Sequence, residues 1–219
     1  MNTVDRIFAS AGAGESFAAG YLEYCNKLLS SLDTGAVARM IDEIVSARAR
    51  DSQIFFIGNG GSASTASHFA NDVAIGTRCP WKPFRAIALT DNAAIMTAIA
   101  NDDGYEQVFV KQLEALMKPR DVVVAITASG NSPNLVKAFE FVRAHKGIGI
   151  ALTGFDGGRL AQMADIDVQV TTPKGEYGPV EAVHGVLLHL VGNYLIQVVR
   201  GETQQASRTN PAVAAVSGS

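Results

Sequence analysis

Five short apolar segments alternate along the chain with segments of helical periodicity. The apolar segments are QIFFIG at 53–58, FRAIALT at 84–90, DVVVAIT at 121–127, GIGIALTG at 147–154 and DIDVQVTT at 165–172. Four of the five are almost continuously apolar, as is typical of strands that are covered on both faces. The pattern therefore predicts an α/β fold with a parallel sheet.

Helical spacing of apolar residues predicts the remaining elements. Two helices lie between Glu15 and about Arg50, and the sequence SLDTG separates them. Further helices are predicted near 64–74, 92–100, 105–117, 133–145, 157–163 and 180–200. Residues 201–219 are small and polar without a period, which predicts a flexible tail. The chain thus divides into N-terminal helices at 1–50, one α/β domain at 51–200 and a tail at 201–219.

Two loops rich in glycine and serine follow predicted strands. The first lies in GNGGSASTASHFAND at 58–72 and the second in ITASGNSPN at 126–134, where Ser132 is a candidate N-cap before Pro133. In a parallel sheet both loops lie at one edge, and the helices that they open attract anions with their free N–H groups. Ordinary strand-to-helix turns are the alternative, and two such loops together favour phosphate binding.

The two best-known nucleotide loops fit the sequence less well. A Walker-type loop is excluded because no GK[ST] sequence follows the glycines. Gly58, Gly60 and Ala63 match a dinucleotide fingerprint, but the acidic residue that should follow about 20 positions later is missing around Arg78. The loops therefore favour a small phosphorylated ligand.

Histidine and carboxylate side chains recur at helical spacing after the first loop and near the end of the chain. His68 and Asp72 are four residues apart, so they share one helix face, and Glu181, His184 and His189 follow on the last helix. These residue types suit a divalent metal such as zinc, or an acid and base pair. For His184, a structural role in the helix is an alternative of equal weight to a role in metal binding or catalysis.

Phosphate loops beside such groups suggest the isomerisation of a sugar phosphate between aldose and ketose forms. This reaction needs a base that moves a proton between adjacent carbons, and an acid or a metal that stabilises the oxyanion. Asp72 and Glu181 are candidate bases, and His189 or a bound metal is the candidate acid.

Composition argues against several other classes of protein. The net charge is −3 and the lysines and arginines are scattered, so we expect no nucleic-acid partner. The two cysteines form no C-x-x-C pair, which indicates reduced thiols. We find no signal-peptide pattern and no apolar run of the about 18 residues that cross a membrane. These features predict a cytoplasmic protein without a membrane partner.

Five blocks of the sequence resemble, in this order, the sedoheptulose 7-phosphate isomerase family of sugar isomerase (SIS) domain proteins, also called phosphoheptose isomerases. The blocks are GNGGSASTASHFAND, ALTDNAAIMTAIANDDGYEQVF, ITASGNSPN, LTGFDGG and VEAVHGVLLH. The resemblance implies a three-layer α/β sandwich with a five-stranded parallel sheet in flavodoxin-like order. It also implies homotetramers with active sites between subunits, in which sedoheptulose 7-phosphate becomes D-glycero-D-manno-heptose 7-phosphate for bacterial heptose biosynthesis.

The resemblance also assigns roles to residues of this chain. The base is similar to Asp72 and the acid to His189, with Glu181 a further catalytic candidate, and the zinc site of some members is similar to His68, Asp72, Glu181 and His189. The residues that it implies for the phosphate and the substrate, together with their loop neighbours, are Asn59, Gly60, Gly61, Ser62, Asp91, Thr127, Ser129, Asn131 and Ser132.

Three positions depart from the usual pattern of this family. Asp72 stands where a glutamate is usual, Glu181 where glutamine is frequent, and Gly178 where an aspartate is frequent. An isomerase of another sugar phosphate is one alternative. The other is a non-catalytic binding protein with this domain, although that branch lacks the histidine that is present here as His189.

Overall fold

The computed structural model describes residues 2–79 and 81–209, with side chains up to residue 204. Its centre is a parallel sheet of five strands in the order β2-β1-β3-β4-β5. The strands are β1 Gln53–Gly58, β2 Arg85–Ala88, β3 Val122–Ile126, β4 Ile148–Gly154 and β5 Ile166–Val170. The prediction of a five-stranded parallel sheet in flavodoxin-like order is therefore confirmed, and each strand lies within the predicted segment.

Nine helices surround the sheet in the described part of the chain. Three precede it: α1 Thr3–Ser10, α2 Gly14–Ser30 and α3 Thr34–Ala49. The others are α4 Gly61–Asn71, α5 Ala93–Asp102, α6 Val110–Leu116, α7 Pro133–Ala144, α8 Gly158–Met163 and α9 Tyr177–Thr209. A π-helical turn, Asp72–Gly76, continues α4, and a 3₁₀ turn, Tyr105–Gln107, precedes α6.

The two faces of the sheet are covered by separate apolar layers. On one face, Phe56 and Val124 pack in a cluster with buried residues of α3, α4 and α9. On the other face, Phe55 and Val123 pack in a cluster with α6, α7 and α8. Burying each large apolar side chain contributes about 1.5–3 kcal/mol, so both layers stabilise the sheet. The arrangement is a three-layer α/β sandwich, as the family resemblance implies.

The ends of the chain differ from the sequence prediction. Helix α1 was not predicted; Asn2 caps it by accepting a hydrogen bond from the Asp5 N–H at 2.8 Å. Helix α9 was expected to end near Arg200, but it continues to Thr209, so the predicted end of this helix is wrong. The first nine residues of the predicted tail are therefore helical. Residues 210–219 lie outside the described residues.

Helix α9 is unusually long and apolar. By length and composition alone, its segment Tyr177–Gln204 would suit a membrane-spanning helix, contrary to the sequence expectation. Its residues Val180, Leu187 and Val191 are almost completely buried in the layer shared with α3 and α4. We therefore describe α9 as a core helix of the sandwich.

Candidate functional site

The first glycine and serine loop turns tightly from β1 into α4. Gly58 ends the strand where a Cβ atom would lie 2.6 Å from the Ser62 carbonyl oxygen, so no side chain fits there. Gly60 has φ +55°, a backbone conformation that favours glycine. This turn buries Ser62 at the start of α4, where free helix N–H groups can receive an anion.

The second loop, between β3 and α7, is stabilised by hydrogen bonds within the loop and by one from Arg159 on α8. The Gly130 N–H donates to Thr127 Oγ1 at 3.2 Å. The Asn131 carboxamide donates to the Ser129 carbonyl oxygen at 2.8 Å and accepts from the Arg159 N–H at 3.1 Å. Because both bonds are made by the Asn131 carboxamide, this side chain stabilises the conformation of the loop.

Ser132 occupies the predicted N-cap position of α7, and Pro133 is the first helical residue. The Ser132 side chain makes no capping hydrogen bond within the described chain. Among the described residues, Ser129 Oγ accepts one long bond of 3.3 Å, from the Asn131 N–H. Both hydroxyl groups therefore retain the capacity to donate to a ligand.

Helices α4 and α9 lie side by side and run in the same direction. Near their starts, the Glu181 carboxylate on α9 lies 3.0 Å from the position that a Gly61 Cβ atom would occupy. Farther along, Gly192 on α9 faces Asp72, whose Cβ atom is 3.7 Å from the position of a Gly192 Cβ atom. The absence of a side chain at Gly192 thus lets α9 approach the end of α4.

Two imidazoles flank one carboxylate at this second contact. Asp72 Oδ2 lies 3.5 Å from His68 Nε2 and 3.6 Å from His189 Nδ1. The two rings are 5.0 Å apart between centroids, and their planes make an angle of 76°. Asp72 begins the π-helical turn, a local irregularity that is frequent at functional sites.

The geometry of this group suits a divalent metal. His68, Asp72 and His189 each offer one ligand atom, and these atoms lie within 4.8 Å of one another. Tetrahedral zinc with bonds of about 2.0–2.1 Å separates its ligand atoms by roughly 3.3–3.4 Å, close to the distances from Asp72 to the imidazoles. Three protein ligands that leave a fourth position open are typical of catalytic zinc.

Glu181 lies apart from this group. It is exposed and eight residues before His189, a helical rise of about 12 Å, and its carboxylate lies beside Gly61 at the start of α4. The structure therefore brings together three of the four metal ligands named from the sequence, and it holds Glu181 beside the first phosphate loop.

His184 is a structural residue of the core. It is completely buried, and its Nε2 lies 3.2 Å from the Thr153 carbonyl oxygen, which can only accept a hydrogen bond. Burial lowers the pKa of His184 to about 4, so the ring is neutral at neutral pH with its proton on Nε2. Of the two alternatives that the sequence left for His184, this contact supports the structural one.

The remaining candidate residues lie around the same edge of the sheet. Asp91 follows β2, is exposed, and accepts a hydrogen bond from the Ser67 hydroxyl on α4. Asn59 follows β1 and is hydrogen-bonded to the side chains of Asn134 and Tyr105. The sequence analysis did not single out Asn134 or Tyr105; the available signal was a polar residue at the start of the apolar helix α7.

The comparisons with known proteins point to one protein family. Residues 20–154 match the SIS domain family. A phosphoheptose isomerase of Trichlorobacter lovleyi is 36% identical over 77% of this chain and 87% of its own length. The phosphoheptose isomerase of Aromatoleum aromaticum is 41% identical over 71% of this chain and 77% of its own length.

A solved structure gives the same result at the level of the fold. The phosphoheptose isomerase of Neisseria gonorrhoeae superposes with a TM-score of 0.73 at 32% identity, and the match covers 83% of this chain and 97% of that one. Taken with the sequence identities, this superposition identifies the chain as a member of the phosphoheptose isomerase family of SIS-domain proteins.

Proposed function

We propose that this protein is an isomerase that converts sedoheptulose 7-phosphate to D-glycero-D-manno-heptose 7-phosphate in bacterial heptose biosynthesis. The observation that carries the proposal is that α4 joins a phosphate-type loop at its start to the His68, Asp72 and His189 group at its end. Family membership supports the same reaction, because the similar proteins are phosphoheptose isomerases.

The separation of the two parts of the site fits a long sugar phosphate. Ser62 and His68 are six residues apart on α4, which corresponds to a rise of about 9 Å. An extended seven-carbon ketose phosphate carries its phosphate at one end and its reacting carbons, C1 and C2, at the other. A five-carbon ketose phosphate places these groups closer together by two carbon atoms, so it fits the same two sites less well.

The phosphate contacts are proposed to come from both loops. Ser62, Ser129 and Ser132 supply hydroxyl donors, with Thr127, Gly60, Gly61 and Asn131 shaping the loops around the anion. The free N–H groups and dipoles of α4 and α7 add to the attraction. Asn59 and Asp91 then contact the sugar hydroxyl groups between the loops and the reacting end.

The reaction moves one proton between two carbons. Asp72 is the proposed base that removes a proton from C1, while His189 donates a proton to the C2 oxygen, which gives an enediol. Return of a proton to C2 and loss of the proton from the C1 hydroxyl then give the aldehyde. Glu181, the further catalytic candidate named from the sequence, lies beside the first loop at the proposed phosphate end, so we assign it neither of these transfers.

Zinc is the proposed metal of the site, with His68, Asp72 and His189 as ligands. Glu181, the fourth ligand named from the sequence, lies beside Gly61 and apart from these three residues. When bound, zinc would polarise the substrate carbonyl group and stabilise the negative charge that develops on its oxygen. The two imidazoles and one carboxylate form a donor set that zinc prefers over magnesium or calcium.

A homotetramer is the proposed assembly, with active sites between subunits. Val186, Leu190 and Tyr194 form an exposed stripe on α9, at intervals of four residues beside His189. Such an apolar stripe is typical of a helix that packs against another chain. The N-terminal helices at 1–50 are the second proposed interface, because Phe8 and Leu22 are exposed there. The proposed location is the cytoplasm, without nucleic-acid or membrane partners.

The test is conversion of purified substrates. The protein is incubated with sedoheptulose 7-phosphate, with unphosphorylated sedoheptulose and with ribulose 5-phosphate, and aldose formation is measured for each. We expect turnover of the heptulose phosphate and a kcat/KM at least 10²-fold lower for the other two sugars. A folded protein that forms no aldose from any of them would refute the proposal and favour a binding protein.

A further inference from the structure

The side chain of Asn59 is paired with that of Asn134 across the two phosphate loops. Asn59 Nδ2 donates to Asn134 Oδ1 at 3.0 Å, and Asn134 Nδ2 donates to Asn59 Oδ1 at 2.8 Å. Asn59 follows β1, whereas Asn134 is the second residue of α7 and is 2% exposed. The two carboxamides therefore form a closed pair that joins the first loop to the helix after the second loop.

The backbone fixes the orientation of this pair. The Leu135 N–H donates both to the Ser132 carbonyl oxygen and to Asn134 Oδ1, each at 3.0 Å, so the carboxamide oxygen and not its NH₂ group faces this donor. Asn134 Nδ2 is then the atom that faces Asn59, and only an oxygen of Asn59 can accept from it. One backbone N–H thereby decides which way both amide groups point.

Tyr105 completes the set of contacts around Asn59. Its hydroxyl group donates to Asn59 Oδ1 at 2.9 Å, so both lone pairs of that oxygen are occupied. The 3₁₀ turn that carries Tyr105 is itself held to α7, because Glu106 pairs with Lys137 at 3.3 Å. Helix α7 thus supports Asn59 directly through Asn134 and indirectly through Tyr105.

The consequence is a defined polarity at Asn59. Its oxygen is saturated, one of its two Nδ2 protons is donated to Asn134, and the second N–H has no acceptor among the described residues. Asn59 therefore offers a ligand one hydrogen-bond donor and no acceptor. A free asparagine side chain would offer both and would rotate between them.

We propose that Asn134 and Tyr105 are positioning residues that present Asn59 to the substrate as a donor only. The proposal rests on the proposed isomerase function, and it specifies that Asn59 contacts a substrate oxygen through a lone pair, as a carbonyl, hydroxyl or phosphate oxygen can provide. Fixing the amide before binding removes the entropy cost of orienting it, which favours the correctly oriented sugar phosphate.

A double-mutant cycle on kcat/KM for sedoheptulose 7-phosphate tests this coupling. We expect Tyr105→Phe to lower kcat/KM about 5-fold, the effect of one neutral hydrogen bond. Asn134→Asp keeps the acceptor for Leu135 but replaces the donor to Asn59, so we expect a loss of about 10-fold or more. Tyr105 is 54% exposed, so its loss of a hydroxyl group should leave the fold intact even where the Asn134 variant is unstable.

The same substitutions are repeated in an Asn59→Ala background. If they act through Asn59, they lower kcat/KM by less than 2-fold there, because no amide remains to be oriented. Equal losses in both backgrounds would show a merely structural role and would overturn the proposal. An Asn59→Ala variant with full kcat/KM would also overturn it.

A readout without turnover separates this proposal from the proposed function. In protein labelled with ¹⁵N at asparagine, the Asn59 side-chain amide signals are identified by their absence in Asn59→Ala. We expect both Tyr105→Phe and Asn134→Asp to shift these signals in the free protein, and unchanged signals would contradict the contacts. Absence of heptulose phosphate turnover in the wild-type protein would refute the isomerase assignment while leaving this spectral test of the amide network intact.

Discussion

His189 Nδ1 lies 3.6 Å from Asp72 Oδ2, which brings the middle of the last helix against the end of α4. His68 Nε2 lies 3.5 Å from the same oxygen. This carboxylate between two imidazoles is the part of the site where we place both the metal and the proton transfer.

Removing the proposed acid or base should abolish most of the activity. We expect Asp72→Asn and His189→Ala each to lower kcat by about 10² or more, as for loss of a general acid or base. Turnover of sedoheptulose 7-phosphate is the measurement. His145→Ala is the matched control, because His145 is exposed at the end of α7, where its ring stacks on Phe141 and its Nδ1 lies 2.9 Å from the Phe141 carbonyl oxygen. A wild-type kcat in either variant would contradict the proposed roles of Asp72 as the base and His189 as the acid.

Zinc binding should depend on His68. We expect the wild-type protein to bind one zinc ion per chain and His68→Ala to bind it at least 10-fold more weakly, because one of three ligands is lost. Titration of metal-free protein with zinc, followed by calorimetry, measures both values. Equal affinity in the wild-type and variant proteins would place the metal elsewhere. Glu181→Gln, in the same titration, tests whether the carboxylate beside Gly61 contributes.

The hydroxyl group of Ser132 should act on substrate binding. Since it makes no capping bond to the described chain, we expect Ser132→Ala to raise KM about 10-fold with little change in kcat, the result for loss of a hydrogen bond to a charged group. Steady-state kinetics separates the two constants. Ser30→Ala, on the exposed end of α2, is the control. An unchanged KM would mean that Ser132 does not contact the phosphate.

The buried His184 should make the protein less stable in mild acid. Its pKa is lowered to about 4 in the folded protein and is near 6.5 in the unfolded chain, so only the unfolded chain binds a proton between these values. Its contribution to stability is therefore present above about pH 6.5 and is lost as the pH falls towards 4.

Between pH 6.5 and pH 5 this loss amounts to about 2 kcal/mol. His184→Gln keeps a donor for the Thr153 carbonyl group but does not titrate. We expect the difference in unfolding free energy between pH 7 and pH 5, measured with urea, to be smaller in this variant by about that amount. An identical pH dependence would show that His184 is protonated in the folded state.

The exposed stripe on α9 should hold subunits together. If the proposed tetramer forms through this stripe, we expect Leu190→Glu to give smaller species, because it places a charge in an apolar contact between chains. Light scattering after size-exclusion chromatography measures the mass. Leu116→Glu is the control, since Leu116 is similarly exposed but lies on α6 in the opposite layer. A tetramer that persists in Leu190→Glu would exclude this stripe from the interface.

The sheet could be predicted from the sequence because its strands are buried on both faces and their apolar runs are continuous. Residues 202–209 gave no such signal, since their helix is polar and has no apolar period. What anchors its first part is Glu202, which pairs at 2.8 Å with the buried guanidinium of Arg48. A contact between residues so far apart in the chain leaves no trace in local periodicity.

The arrangement of the candidate site could be predicted only in part, because some of its contacts join residues that are far apart in the chain. The spacing of His68 and Asp72 on one helix is a local property, so their proximity followed from the sequence. The position of Glu181 depends on how α9 lies against α4, which the glycines at 61 and 192 help to set. The pairing of Asn59 with Asn134 joins two loops, and no periodic pattern in either loop indicates it.

The most direct test of the central claim is proton transfer at the sugar itself. The protein is incubated with sedoheptulose 7-phosphate in deuterium oxide, with chelator and with added zinc, and the product is followed by proton nuclear magnetic resonance. We predict an aldose that carries deuterium at C2, with formation stopped by chelator, restored by zinc and lost in Asp72→Asn. Absence of aldose in every metal condition, with the protein folded, would contradict the account.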